Sequence, residues 1–148
     1  MIERGTGNLL DADVDALVNA VNTVGVMGKG LALQFKTAFP EVFRAYAAAC
    51  KRGEVVVGRV HVVERSVAPR FIIHFPTKQH WRQRSKLDYI RDGLADLVTQ
   101  VRASNIASIA IPALGCGLGG LAWREVEPLI VAAFTPLEDV RVVLFEPG

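Results

Sequence analysis

The chain has 148 residues, is 51% hydrophobic and 22% charged, and sets 17 Lys and Arg against 15 Asp and Glu for a net charge of +2. A chain of this length removes roughly 70% of its unfolded surface on folding, enough for one core over residues 1–148 and too little for a second domain, and its apolar content excludes intrinsic disorder. Its apolar runs stop far short of the roughly 18 to 20 residues of a membrane span, and the start Met1-Ile2-Glu3-Arg4-Gly5 lacks the basic-then-apolar plan of a secretory signal, so a cytoplasmic, monomeric protein without membrane contact is expected.

Asp15 to Val21 (DALVNAV) is short, apolar and followed by glycine-rich sequence, which predicts a buried strand. From Gly30 the period changes: Leu31, Phe35, Ala38 and Phe39 follow helical spacing until Pro40 breaks the run. A second helix carries Val42, Phe43, Tyr46, Ala49 and Cys50 on its apolar face, ends in Lys51 and Arg52, and is stopped by Gly53. Val55 to Glu64 and Phe71 to Phe75 predict two strands across a charged, proline-containing turn. Ser85 opens the longest helix: Ser85 and Asp88 have capping-box spacing, and Leu87, Ile90, Leu94, Leu97, Val98 and Val101 form one stripe up to Ser104. Ser108 to Ile111 is again a strand, Trp123 to Phe134 a helix, and Arg141 to Phe145 a last strand. Strands apolar on both faces, alternating with helices, indicate a three-layer α/β/α domain with a mixed, mostly parallel central sheet. Within it, His74 alternates with Ile73 and Phe75 and reads as a structural histidine with its hydrogen bonds satisfied.

In such a sheet ligands gather beyond the carboxyl ends of the strands. Two strand-to-helix loops there are glycine-rich: Gly25-Val26-Met27-Gly28-Lys29-Gly30 and Gly115-Cys116-Gly117-Leu118-Gly119-Gly120. Without Cβ atoms the backbone can approach a ligand and turn successive N–H groups toward one point, beside helix N-termini that add partial positive charge. Either loop alone is equally a tight connection; two at neighbouring strand ends suit a diphosphate gripped between them. There is no GxxxxGK[ST], and the formal GxGxxG of Gly115, Gly117 and Gly120 has no acid at the end of a following strand, which disfavours P-loop and dinucleotide readings.

Asn22, at the end of its strand, can exchange hydrogen bonds with ribose hydroxyls or stabilise its own turn. Lys78 follows the FIIHFP strand and so rises at the same surface; a solvated loop lysine is the commoner fate of such a residue. With Arg82, Arg84 and Lys86 it forms a basic stretch free of acids, with His80 and Trp81 among them. That pattern suits phosphates with an aromatic ring for an unpaired base, or simply a hydrated loop. Cys50 and Cys116 are far apart and outside any CxxC, so neither zinc nor a disulfide is indicated; Cys116 is a small space-filling residue in its loop.

Gly7-Asn8-Leu9-Leu10, Ala16 to Asn22 and the two glycine loops resemble the macrodomain family of ADP-ribose binders. The stretch NTVGVMGKGLALQFK from Asn22 to Lys36, with Phe75-Pro76-Thr77-Lys78 and Leu114 to Leu121, is more narrowly similar to the macrodomains of DarG antitoxins, and the similarity extends over essentially the whole chain. This resemblance implies ADP-ribose lying across the strand ends, against Asn8, Leu9, Thr23, Gly25, Val26, Met27, Gly28, Lys29 and Gly30 on one side and Gly115, Cys116, Gly117, Leu118, Gly119 and Gly120 on the other. It implies that Asn22 orients the distal ribose and that Lys78 drives removal of ADP-ribose from thymidine bases of DNA. The lysine would attack the anomeric carbon of an opened ribose or stabilise charge on the leaving base. ADP-ribosylated single-stranded DNA is then the substrate, with His80, Trp81, Arg82 and Arg84 contacting it. No cofactor and no metal are implied, and a DarT-type toxin is the partner, engaged through a region outside this chain.

Two positions depart from the family. Asn8 stands where many macrodomains have an Asp that pairs with adenine, and Gly119 stands where relatives acting on protein glutamates have an Asp that assists the lysine. Two other functions share the pocket: a non-catalytic ADP-ribose reader, and a hydrolase of ADP-ribosylated protein carboxylates or O-acetyl-ADP-ribose.

Overall fold

The computed structural model describes residues 1–148. Strands β1 (Ile2–Arg4), β2 (Ala16–Val21), β3 (His61–Glu64), β4 (Phe71–Pro76), β5 (Ser108–Ile111) and β6 (Arg141–Leu144) form one sheet in the order β1-β6-β5-β2-β4-β3. All neighbours are parallel except the edge strand β3, which runs antiparallel to β4. Helices α1 (Gly30–Ala38), α2 (Pro40–Lys51), α3 (Leu87–Ala103) and α4 (Trp123–Phe134) cover both faces.

The alternation of strand side chains divides the core in two. On one face Val18, Ile73, Phe75, Ile109 and Val142 pack against Ile90, Leu94 and Leu97 of α3 and Ile130 and Phe134 of α4. On the other, Leu17, Val21, Ile72 and Val143 meet Phe35 of α1 and Val42, Tyr46 and Ala49 of α2. The central strands β2 and β4 are buried almost throughout, which explains their continuous apolar runs. Inside α3, Gly93 lies directly against the Phe75 ring, where a Cβ would overlap it. A mid-helix glycine costs about 1 kcal/mol in propensity, and here the close approach of helix to sheet requires it.

Apart from one-residue shifts at the ends of β2, β4 and α3, the structure departs from the sequence expectations as follows. β1 carries no recognisable pattern, being a short edge strand with Glu3 and Arg4, yet it pairs along β6 from Ile2↔Val142 to Arg4↔Leu144. The strand expected from Val55 starts only at His61, because the chain turns through Gly58 at φ +87°. Val55 is buried all the same, as a plug in the α1/α2 face of the core. The last strand ends at Leu144, one residue early. The Ser85–Asp88 capping box does not form: α3 begins at Leu87 after Lys86, Asp88 pairs with Arg91, and the Ser85 hydroxyl donates to the Thr77 carbonyl instead.

Candidate ligand site at the strand ends

Because β5, β2 and β4 are adjacent and parallel, the three segments leaving their carboxyl ends emerge side by side. These are the first glycine loop, the segment carrying Lys78, and the second glycine loop. The middle segment is tied to both others. The Thr23 backbone N–H and hydroxyl both donate to the Gln79 carbonyl, at 3.0 and 2.8 Å, and Thr77 N–H donates to the Val21 carbonyl at 2.9 Å. On the other side Ser85 N–H donates to the Gly119 carbonyl at 2.9 Å, and the Arg84 guanidinium reaches the Gly120 carbonyl at 3.4 Å. Lys78 therefore stands between the two glycine loops.

The first loop is braced by side chains. Asn22 is only 4% exposed. Its Oδ1 accepts from Val24 N–H at 3.1 Å, Val26 N–H at 3.4 Å and the Tyr46 hydroxyl at 2.9 Å, while Nδ2 donates to the Val26 carbonyl at 2.8 Å. An amide nitrogen carries two hydrogens, and the second has no partner within the protein. Met27 is 2% exposed and fills the core beneath the loop, its sulfur 3.7 Å from Asn19 Nδ2. Leu9 is likewise buried in the core, so the side chains of both residues serve packing. Gly25, at φ +83°, lies on α2 with Ala47 and Cys50 beneath it. Gly28, Lys29 and Gly30 are exposed at the start of α1, whose first N–H groups have no side-chain cap. Asn8 is exposed and makes two bonds of its own: Oδ1 accepts from Leu10 N–H at 3.0 Å and Nδ2 donates to Gln34 at 2.9 Å, which leaves the second Nδ2 hydrogen without a protein partner.

The second loop is shaped by steric contact. A Cβ on Gly119 would stand 2.5 Å from the Gly115 carbonyl oxygen, and one on Gly120 would stand 2.7 Å from the Arg84 guanidinium. Gly117 faces open space. Leu118 is 71% exposed at the tip, and the half-buried Cys116 directs its thiol to the Leu114 carbonyl, with burial raising its pKa.

Lys78 Nζ donates to the Trp81 carbonyl at 3.0 Å. Partial burial lowers its pKa, and no carboxylate pairs with it to oppose that shift. The indole of Trp81 is 44% exposed, with the His80 ring 5.1 Å away and the Arg82 guanidinium 4.5 Å over it. Arg84 belongs with the second glycine loop, since its guanidinium lies over Gly120. No group of three or more His, Cys, Asp or Glu side chains is placed to hold a metal ion. Two hollows elsewhere, of about 330 and 220 Å³, lie at the opposite end of the sheet around Asp15, Arg70, Asn105 and Asp139.

His74 only partly fits its expected role. It is fully buried, with Nδ1 3.0 Å from His61 Nδ1, but its Nε2 has no partner; nor has Oδ1 of Asn19, its register neighbour on β2. Sequence reasoning also missed Tyr46, Ser85 and Gln79. Tyr46 and Ser85 carried a signal, because a hydroxyl on a buried face needs an acceptor. Gln79 acts through its backbone carbonyl and carried none.

The Macro domain family model matches residues 18–130. The chain is 56% identical over 150 residues to the DNA ADP-ribosyl glycohydrolase of Mycobacterium tuberculosis, an alignment covering 100% of this chain and 43% of that protein. It is 54% identical over 149 residues to the Thermus aquaticus protein of the same name, covering 99% of this chain and 41% of that one. The chain thus spans less than half the length of these curated relatives. Among solved structures, the macrodomain of Mycobacterium tuberculosis DarG superimposes with a TM-score of 0.98 at 55% identity, covering 100% of this chain and 99% of that one. Thermosipho africanus DarTG in complex with ADP-ribose gives 0.90 at 38%, covering 95% and 40%. The chain belongs to the Macro domain family, and within it groups with the macrodomains of DarG.

Proposed function

We propose that the chain is a DNA ADP-ribosyl glycohydrolase that hydrolyses the bond between the distal ribose of ADP-ribose and a thymine nitrogen, releasing ADP-ribose and unmodified DNA. The observation that carries this reading is the placement of Lys78, a lysine of lowered pKa without a carboxylate partner, on a segment tied to both glycine loops. The loops supply backbone N–H groups for a diphosphate. The remaining Asn22 N–H is available to a ribose hydroxyl. The neutral amine favoured by burial can attack the anomeric carbon of the opened sugar, and the ammonium form can stabilise the departing base. Trp81, with His80 and Arg82 around it, offers a ring and positive charge to the single strand beside the modified base. The names of the relatives at 56% and 54% identity, and the ADP-ribose bound in the related DarTG structure, support the same assignment. A DarT-type toxin as partner, a monomeric state and a cytoplasmic location belong to this proposal; no helix is long and apolar enough to cross a membrane.

One side-by-side assay tests it. Wild type is expected to release ADP-ribose from modified single-stranded DNA, and Lys78→Ala to lose about a hundredfold or more of that rate while still binding ADP-ribose. Equal binding with no release by either protein would leave a reader module. Release from glutamate-modified protein with DNA left intact would move the substrate to protein carboxylates. Borohydride trapping of a Lys78 adduct identifies the amine as nucleophile, and its failure assigns the ammonium role.

A further inference from the structure

Tyr46 sits in the middle of α2 and is fully buried, its ring 5.0 Å from that of His74 and 6.2 Å from that of Phe43. The ring position is what an apolar helix face requires, but the hydroxyl has a separate destination. It lies 2.8 Å from the main-chain oxygen of Asn22 and 2.9 Å from Oδ1 of the same residue. A phenol has one hydrogen to give, and burial raises its pKa, so it remains a donor through the physiological range.

The consequence falls on the orientation of the Asn22 amide. Oδ1 faces the N–H groups of Val24 and Val26 and shares the Tyr46 hydroxyl hydrogen with the Asn22 main-chain oxygen, while Nδ2 faces the Val26 carbonyl. Rotating the amide by half a turn would set N–H against N–H and oxygen against oxygen. The two loop donors move with the glycine loop itself, whereas Tyr46 comes from a packed helix and is the contact that refers the amide to the rigid core. Gly25 continues this contact by lying on Ala47 and Cys50, the adjacent turn of α2.

We propose that Tyr46 is a positioning residue: through its hydroxyl it locks the Asn22 amide with the second N–H of Nδ2 turned to the ribose, so that the core helix α2 fixes the sugar's orientation. The inference rests on the proposed ADP-ribose site, and its decisive readouts do not depend on which modified substrate is cleaved. Tyr46→Phe keeps the ring against His74 and removes only the donor. We expect it to weaken ADP-ribose binding, measured calorimetrically, by about tenfold, in line with loss of one buried hydrogen bond. In an Asn22→Ala background the same substitution is expected to change affinity by less than about twofold, because a residue acting only through Asn22 is non-additive with it. The Asn22 side-chain amide protons, seen by NMR, are expected to shift and exchange faster in Tyr46→Phe. An equal loss of affinity in both backgrounds, or unchanged affinity with a lowered melting temperature, overturns the proposal and leaves Tyr46 a packing residue. Failure of wild type to bind ADP-ribose at all would overturn the underlying site assignment, while unchanged Asn22 amide signals in Tyr46→Phe would overturn the positioning role on their own.

Discussion

The two glycine loops share a composition and a place at the strand ends, yet different forces hold them. The first rests on side chains: Asn22 ties Val24 and Val26 together, Tyr46 anchors Asn22, and Met27 plugs the core below. The second rests on the absence of side chains, since Gly115, Gly119 and Gly120 leave room for a carbonyl, for Ser85 and for Arg84. Glycine in the first loop is therefore a matter of backbone torsion, at Gly25 and Gly30, whereas in the second Gly115 and Gly120 need torsion and space together and Gly119 needs space alone. The same letters in the sequence do different physical work.

Substitutions that act on one mechanism and spare the other separate the two loops. The largest effect is expected from Gly119→Ala, where a methyl 2.5 Å from the Gly115 oxygen forces the second loop to shift. Overpacking of this kind costs about 1–3 kcal/mol, read as a lower denaturation midpoint, with ADP-ribose affinity falling by tenfold or more because the N–H groups proposed to face the diphosphate move. An unchanged midpoint and affinity would show that the second loop is not sterically fixed. Asn22→Ala should cost about 1–3 kcal/mol by leaving the Val24 and Val26 N–H groups without their acceptor, while the Tyr46 hydroxyl keeps the main-chain oxygen of residue 22. Its signature is faster amide exchange at Val24 and Val26 with the second loop undisturbed.

An acid-dependent loss of stability is expected on the first loop's side. His74 faces His61 from β3, Tyr46 from α2 and Asn19 from β2, and burial lowers its pKa to about 3. The unfolded chain takes up a proton on this residue below pH ~6.5 while the folded protein does not, so stability should fall on acidification from there toward pH 3. The slope approaches about 1.4 kcal/mol per pH unit for one proton. Denaturation midpoints measured across that range should decline less steeply in His74→Phe; parallel profiles would assign the acid sensitivity elsewhere. The smallest effect is expected at Gly117, which faces open space, so that Gly117→Ala should stay within about 0.5 kcal/mol of wild type.

These contrasts also mark what a reading of residues reaches. The turn from the β2 run to the spacing of Leu31 and Phe35 shows where the first loop must lie, and the second loop is bounded as clearly by Ser108–Ile111 and Trp123–Phe134. Pairing between distant segments leaves no such trace. β1 exists because Ile2 meets Val142, and Ser85 abandons its capping position because Thr77 and Gly119 offer it better partners. Met27 and Leu9 look like loop residues in a chain of letters and prove to be core residues, since burial depends on what lies underneath. The placement of Lys78 was legible from its strand; the ties that hold it were not.

One of those ties has a consequence for how the protein tolerates change. The Gln79 carbonyl takes both hydrogen bonds from Thr23, so the joint between the first loop and the lysine segment is written in a side chain at one end only. Almost any residue at position 79 preserves it, whereas Thr23→Val removes one bond of the two. Drift at one partner is silent while drift at the other is felt, and a mechanical link of this kind is invisible to any comparison that looks for two residues changing together.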